Sequence, residues 1–309
     1  MAELQNRFTW SRSRAGMFDT CHYRYYLNYY GSWGGWSWNA DPRNRRIYIL
    51  KQLQSRWMWA GTLVHDSIER VLHTLRAGES VNPEQVIEWT IQKMRQDFVS
   101  SRGEGYLQKP KTCALDEHHY ADEHGQIDWV VVRDHVSTCL QNFFSSPYFE
   151  LAQHLDAEQW LSIEEMDSFD LNGTTVWAIP DFAYRDSDGK IWIIDWKTGR
   201  SFGTPDPIQL ACYALYASGR WDAPPESIHT VEYNLAHGKG HHSQITPAVL
   251  DEVHSEIEAS VGAMKDLLDD PDENRASAER FNPTADEGSC SRCKFREICD
   301  YRKDGSSGK

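Results

Sequence analysis

No stretch of this sequence approaches the roughly 18 consecutive apolar residues of a membrane-spanning helix. The first residues, Met-Ala-Glu-Leu-Gln-Asn-Arg, also lack the apolar segment of a secretory signal, so we expect a cytoplasmic protein with no membrane partner. The chain has no internal repeat. Its seven cysteines are odd in number and unevenly spaced, which does not match a disulfide framework. These absences leave a globular chain of 309 residues, long enough for one large domain or two small ones.

Basic residues are scarce overall but concentrated at one end of the chain. There are 32 Lys and Arg against 46 Asp and Glu, and the net charge of −14 by itself argues against a polyanionic partner. Residues 1–60, however, hold nine Lys and Arg against three acids, together with 14 of the 38 aromatic residues. Cations among flat rings suit binding of single-stranded nucleic acid, with Arg12, Arg14 and Arg24 as candidates. Alternatively the rings pack a helical subdomain, and we expect most of them to do so.

Apolar spacing predicts a single α/β domain, because helical periodicity changes to β-type alternation near residue 160 and then returns. We expect helices over 11–30 (with Cys21 inside it or at a break), 60–77, 83–98, 127–154 (broken near Pro147), 207–219 and 247–268. We expect strands over 160–166, 169–172, 175–184, 190–197, 228–235 and 242–246. The domain, residues 1–304, divides into a basic, aromatic helical region (1–60), a core (61–268) and a C-terminal segment (288–304). Residues 305–309 are interpreted as a flexible tail or a cloning remnant.

Two strand-like runs flank the sequence Asp186-Ser187-Asp188-Gly189, and an Asp-Gly pair in that position strongly indicates a β-hairpin. A turn there places Asp181 roughly opposite Asp195. Alternation then puts Asp195 and Lys197 on the same face of the strand. Two carboxylates and an ammonium at the end of apolar strands are costly to bury without a compensating charge or metal. A strand-end ion pair and an active site are both compatible with this pattern.

Three cysteines, Cys290, Cys293 and Cys299, fall within ten residues near the end of the chain. In a reducing compartment this clustering points to a metal or metal–sulfur cluster rather than to disulfides. A tetrahedral ion or a cubane cluster needs a fourth ligand, and no second Cys-x2-Cys pair is present. The isolated Cys21 is the candidate, and it would fasten the N-terminal helical region to the C-terminal segment. Free thiols and zinc are the alternatives to iron–sulfur. The remaining cysteines are expected to be bystander or core thiols: Cys113, Cys139 and Cys212.

Several motifs together resemble those of the PD-(D/E)xK nuclease superfamily. Pro180-Asp181 followed by Asp195-x-Lys197 is similar to its signature. Gly61-Thr62-x-x-His65 resembles the upstream histidine motif of the RecB-like branch, and Gln209-x3-Tyr213 resembles that branch's Gln/Tyr motif. The four cysteines look like the iron–sulfur version found in AddB-type subunits and in CRISPR-adaptation exonucleases. The motifs run in the family's order over residues 21–299.

The resemblance implies a restriction-endonuclease-like fold, with a mixed central sheet flanked by helices, and metal-dependent hydrolysis of DNA. The enzyme would be an exonuclease or end-processing nuclease acting on single-stranded or frayed DNA. The implied ligands of Mg²⁺ or Mn²⁺ are His65, Asp181, Asp195 and the backbone carbonyl of Trp196, a residue that departs from the usual family pattern. Lys197 would assist the attacking water, while Gln209 and Tyr213 would hold the nucleotide. The implied ligands of a [4Fe–4S] cluster are Cys21, Cys290, Cys293 and Cys299.

Two points stay open on the sequence. Glu164 or Glu165, on the strand before the hairpin, is either an acid that supports the site or faces DNA, or a solvated surface residue. The main rival function is a non-catalytic subunit that binds DNA ends within a larger complex, with a helicase or another protein as partner. Intact Asp181, Asp195 and Lys197 argue against that rival. A sequence-specific double-strand endonuclease is disfavoured because no appended recognition domain is visible.

Overall fold

Helices and two β-sheets make up this computed structural model, which describes residues 4–121, 126–284 and 286–301. The α-helices are α1 (Arg12–Thr20), α2 (His22–Tyr26), α3 (Pro42–Lys51), α4 (Arg56–Arg76), α5 (Pro83–Ser101), α6 (Gly105–Gln108), α7 (Asp116–Tyr120), α8 (Trp129–Phe144), α9 (Pro147–Ala152), α10 (Pro207–Arg220), α11 (Pro247–Lys265) and α12 (Glu287–Ser291), and a π-helical turn, Leu27–Gly31, follows α2. The strands are β1 (Thr9–Trp10), β2 (Trp160–Ile163), β3 (Asp167–Leu171), β4 (Thr174–Ala178), β5 (Phe182–Arg185), β6 (Ile191–Lys197), β7 (Ile228–Asn234) and β8 (Lys239–Gln244). The predicted α/β class is confirmed. Within the described ranges, no helix has the length and apolar character needed to cross a membrane.

The larger sheet has five strands in the order β2-β5-β6-β7-β8. It is mixed, because β6 and β7 are parallel whereas the other neighbours are antiparallel. Strands β5 and β6 form the predicted hairpin. Phe182 pairs with Ile194, so the residue before β5, Asp181, falls opposite Asp195 as the turn signal predicted.

The two faces of this sheet are covered by different helices. Phe182, Ile194 and Trp196 pack into a core with residues of α4, α5, α8 and α9. Ile193 points the other way, into a core shared with α10. Because side chains alternate along a strand, Asp195 lies on the α10 side with Ile193. The sheet is therefore flanked by helices on both faces, and the end of β6 directs one acidic side chain toward α10.

The single strand predicted over 175–184 is wrong, because this stretch forms two strands in different sheets. Strand β4 pairs with β1 and β3 in a separate three-stranded sheet of order β1-β4-β3, and β5 begins only at Phe182. Pro180 lies between them and has no N–H to donate to a ladder, which accounts for the break. Asp181 consequently lies immediately before a short strand.

The helix predicted over 11–30 is interrupted at Cys21, whose backbone is extended with φ −168° and ψ 114°. The first three helices share a core with α11, with Phe281 and with Phe295 of the C-terminal segment. The two ends of the described chain are thus packed together. The proposed tail, residues 305–309, and the last residues of the segment 288–304 lie outside the described residues.

Candidate active site

His65 is brought to the sheet by α4, an amphipathic helix of 21 residues. Gly61, one turn earlier, lies where α4 passes close to the end of β6. A Cβ atom at Gly61 would be 3.0 Å from Oγ1 of Thr198, the residue that follows β6. The missing side chain therefore allows α4 to approach the sheet closely, and His65 reaches Asp181.

Three side chains converge around His65. Its Nδ1 atom is 3.0 Å from Oε1 of Glu164 and 3.6 Å from Oδ1 of Asp181. One ligand atom from each of these three residues lies within 4.8 Å of the other two. Of the two glutamates considered from the sequence, Glu164 is therefore at the site, whereas Glu165 pairs with Arg76 at an exposed position.

Glu164 follows β2 in an unusual backbone conformation. Its φ of +48° lies in the left-handed region, which is uncommon for residues other than glycine. The Glu164 N–H donates to the carbonyl oxygens of Pro180 and Asp181, each at 3.2 Å. These hydrogen bonds hold the turned backbone against the start of β5, so the Glu164 carboxylate lies beside His65.

Both aspartates are shielded from solvent, with Asp181 7% and Asp195 2% exposed. Oδ2 of Asp181 accepts a hydrogen bond from the Trp196 N–H at 2.6 Å, which fixes the carboxylate across the end of the hairpin. Trp196 thus positions Asp181 through its amide. The role predicted for the Trp196 carbonyl stays a prediction.

Lys197, Asp195, Gln209 and Tyr213 form one hydrogen-bonded network. The Lys197 Nζ atom lies 2.6 Å from Oδ2 of Asp195 and donates to Oε1 of Gln209 at 2.8 Å. Nε2 of Gln209 donates to Oδ1 of Asp195 at 3.0 Å and to the Tyr213 hydroxyl at 2.9 Å. Gln209 and Tyr213 are one helical turn apart on α10, as predicted from their spacing. In this arrangement Gln209 orients Lys197 and Asp195.

The start of α10 is fixed by Asp206. Its carboxylate accepts hydrogen bonds from the first turn of the helix, including the Gln209 N–H at 3.2 Å. The same carboxylate forms an ion pair with Nε of Arg12 at 2.8 Å. Arg12, a predicted DNA contact, therefore also secures the helix that carries Gln209.

The carboxylates of the site carry more negative charge than Lys197 offsets. Burial, and then the neighbouring Asp181 carboxylate, raise the pKa of Asp195, and Lys197 only partly opposes this. Burial also raises the pKa of Glu164. For His65, burial alone would lower the pKa, but the carboxylates of Asp181 and Glu164 outweigh it and raise the pKa well above the ordinary value. Three carboxylates and an imidazole in this setting are suited to a divalent cation.

A family model of the PD-(D/E)XK nuclease superfamily matches residues 9–300. The chain belongs to this superfamily. Its mixed sheet between helical layers is the restriction-endonuclease-like fold predicted from the motifs. Members are generally nucleases that hydrolyse phosphodiester bonds and typically use Mg²⁺ or Mn²⁺. We found no match among the curated proteins. The RecB-like branch and the iron–sulfur cluster stay predictions.

The four candidate cluster ligands of this PD-(D/E)XK protein line one cavity: Cys21, Cys290, Cys293 and Cys299. Sγ of Cys21 accepts hydrogen bonds from the N–H groups of Arg24 and Thr284, both at 3.4 Å. Cys21 lies more than 260 residues from the other three in sequence, so only the fold brings it to them. Of the expected core thiols, Cys139 and Cys212 are buried and Cys113 is partly buried.

The other two arginines predicted to bind DNA have different surroundings. Arg14 is buried, 4% exposed, and donates to the Tyr25 hydroxyl through Nε and Nη2 at 3.0 and 2.8 Å. Its guanidinium also lies over the rings of Phe8 and Tyr29. This placement does not fit a DNA contact, and we assign Arg14 to the packing of the N-terminal region. Arg24 lines the cysteine cavity.

Proposed function

We propose that the chain is a metal-dependent deoxyribonuclease whose catalytic residues are His65, Asp181, Asp195 and Lys197. The observation that carries this proposal is the meeting of the superfamily's two aspartates and lysine at one end of the hairpin, with His65 beside them. A non-catalytic scaffold would have no need for a buried, costly cluster of charges. The connected network around Lys197 therefore favours an enzyme over the scaffold alternative.

The residues at the site fit a divalent metal ion. His65, Glu164 and Asp181 supply one imidazole and two carboxylates within 4.8 Å of one another. Asp195 and the Trp196 carbonyl are the further ligands that we propose. Oxygen-rich sets suit Mg²⁺ and Mn²⁺, and the imidazole favours tolerance of Mn²⁺. When bound, such an ion would acidify a water and neutralise charge on a phosphate oxygen.

Lys197 supplies positive charge in this mechanism. Burial by itself would lower its pKa, but the adjacent Asp195 carboxylate outweighs burial, so the pKa is raised and the ammonium stays charged. A charged ammonium donates hydrogen bonds and cannot accept a proton. We therefore assign to Lys197 the orientation of the attacking water and the stabilisation of charge that develops on the scissile phosphate. Gln209 keeps the ammonium at that position, and Tyr213 supports Gln209. We also propose that Gln209 and Tyr213 contact the nucleotide.

The proposed substrate is DNA that is single-stranded or has frayed ends, cleaved as an exonuclease or end-processing enzyme of the RecB-like branch. The composition of residues 1–60 supports this substrate, because those of its cations and rings that are exposed can contact phosphates and unpaired bases. A helicase or another subunit of a DNA-processing complex is the proposed protein partner.

We further propose that Cys21, Cys290, Cys293 and Cys299 hold a [4Fe–4S] cluster, with zinc as the alternative. With Zn–S bonds of about 2.3 Å, tetrahedral zinc would place its sulfurs about 3.8 Å apart. In the described chain, the only group of three or more potential ligand atoms within 4.8 Å of one another is at the active site, so no three of the four cysteine sulfurs are that close together. Nε of Arg24, beside the cavity, is buried without a hydrogen-bond partner. Cysteine sulfurs farther apart than zinc requires, and an Arg24 Nε–H without a hydrogen-bond partner, both suit a large, anionic iron–sulfur cluster.

The decisive experiment is cleavage of end-labelled single-stranded and double-stranded DNA with Mg²⁺ or Mn²⁺. We expect Asp195→Asn and Lys197→Ala each to lower the rate by about 100-fold or more, since the first weakens a proposed ligand of the metal ion and the second removes the cation beside the scissile phosphate. The controls Asp188→Asn and Lys190→Ala change exposed residues of the same hairpin and should leave the rate unchanged. Equal rates in all five proteins would sink the assignment of the site.

A further inference from the structure

Three tryptophans project from the loop between the π-helical turn and α3. Trp33 and Trp36 are 37% and 39% exposed, and Trp38 is 96% exposed. Tryptophan is among the residues that gain most from burial, so an almost fully exposed indole needs an explanation. We expected most aromatic side chains of residues 1–60 to lie in the core, but these three form a group at the surface.

The loop that presents these rings is held firmly by α3. Asn44 Nδ2 donates to the carbonyl oxygens of Gly31 and Trp33 at 2.7 and 2.8 Å. A Cβ atom at Gly35 would lie 2.5 Å from Cβ of Tyr48, so only glycine allows the loop to sit this close to the helix. The backbone of the loop is therefore fixed by these contacts, and in this conformation the tryptophans are exposed.

Trp36 and Trp38 form one wall of a groove whose other wall is residues 108–111. We call this surface the tryptophan groove. Arg45 joins the walls, because it donates to the carbonyl oxygens of Gly35 at 3.2 Å and Gln108 at 3.1 Å. The groove thus has an aromatic side and a polar side at fixed separation.

The charge of the tryptophan groove is opposite to that of the whole chain. Arg45, Lys109 and Lys111 line it, and none of its lining residues is an Asp or Glu. Within the described ranges, neither lysine takes part in an ion pair. In a chain of net charge −14, this local surplus of cations indicates an anionic ligand.

We propose that the tryptophan groove binds single-stranded DNA, with bases stacked on Trp36 and Trp38 and phosphates beside Lys109 and Lys111. The faces of bases in a duplex are already covered by their neighbours, so exposed indoles select unpaired strands. Stacking is available to every base, which predicts binding with little sequence preference. The choice of DNA as the ligand rests on the proposed function. The groove would add a second contact for the unpaired strand, besides the active site.

The test measures binding without cleavage. The full-length Lys197→Ala protein, in EDTA, is titrated into a fluorescein-labelled oligo(dT) and the anisotropy is recorded. Adding Trp38→Ala should weaken binding by about 5- to 150-fold, the range measured for loss of one stacked base. Trp89→Ala, which removes a tryptophan of 42% exposure on α5, is the matched control and should bind normally. Because Trp38 is almost fully exposed, its loss should leave the thermal unfolding temperature unchanged.

Two further arms separate the possible ligands. The double substitution Lys109→Gln and Lys111→Gln should reduce the slope of log Kd against log salt by about 1.4, as expected for two lost phosphate contacts on a single strand. A duplex of the same length should bind more weakly and should not respond to Trp38→Ala. Unchanged oligo(dT) affinity in Trp38→Ala would overturn the proposal and leave a protein partner as the occupant of the groove. Since no step requires catalysis, this result is independent of whether Lys197→Ala abolishes cleavage.

Discussion

Glu164 shows how much the site depends on one residue's backbone. Its φ of +48° departs from the extended backbone of β2, and its carboxylate lies 3.0 Å from the His65 ring. The site consequently has a third potential metal ligand close to His65 and Asp181, and the motif resemblance had not implied this one. The neighbouring Glu165 has the same chemistry and lies at the surface.

These two glutamates form a matched pair for measuring metal binding. We expect Glu164→Gln to weaken Mn²⁺ affinity by about 10- to 100-fold, because it removes a charged oxygen beside His65 and Asp181. Glu165→Gln should leave the affinity unchanged. Titration calorimetry with Mn²⁺ on the full-length protein measures both, and equal affinities would remove Glu164 from the site.

At the scale of single elements, the absence of a side chain at Gly35 allows the loop that carries Trp33, Trp36 and Trp38 to pack against α3. Gly35→Ala places a Cβ 2.6 Å from the Asn44 carbonyl oxygen, so the loop or the helix has to move. We expect the free energy of unfolding to fall by about 1–3 kcal/mol, as for other overpacked sites. Gly262→Ala, inside α11 with open space around it, should instead raise it by up to about 1 kcal/mol. Urea unfolding followed by circular dichroism compares the two, and a stable Gly35→Ala protein would contradict the tight packing.

The contact of β3 with α10 predicts a pH dependence. Hydrogen bonds from the Tyr216 hydroxyl and from Arg220 lower the pKa of Asp167. A lowered pKa in the folded state means stabilisation at neutral pH that is lost as the pH falls from the unfolded value of about 3.9 toward the folded one. The Tm difference between wild type and Asp167→Asn should therefore be largest near pH 7 and shrink below about pH 4. A difference that stays constant down to pH 3 would show that the ionised carboxylate contributes nothing.

The predictable parts of the fold were those encoded in short stretches. The Asp-Gly turn gave the register of β5 and β6, and the spacing of Gln209 and Tyr213 placed both on one helix face. The contact of Glu164 with His65 joins residues 99 positions apart, and local patterns contain no information on such pairs. The break at Pro180 was missed because alternation continues through it, while the partners of β4 lie in another sheet.

At the scale of the whole molecule, the cysteine cavity joins the first helices to the C-terminal segment. We expect anaerobically purified protein to be coloured, with visible absorption from iron–sulfur charge transfer. Cys21→Ser should abolish the colour and lower the Tm, because the segment is then released from α1 and α2. Cys113→Ser, which changes a thiol away from the cavity, should retain both. A colourless wild type that contains zinc would reject the iron–sulfur assignment.

The shared core of the two chain ends also has a consequence for biosynthesis. Trp10 and Tyr25 share a buried core with Phe281 and Phe295, which are translated more than 250 residues later. At about 5–20 residues per second, the N-terminal aromatic residues wait roughly 15–60 s for these partners. During that interval a cluster of apolar rings is exposed on the ribosome-bound chain. We therefore expect nascent chains of this protein to depend on chaperones that cover residues 1–30 until Phe281 and Phe295 have been synthesised.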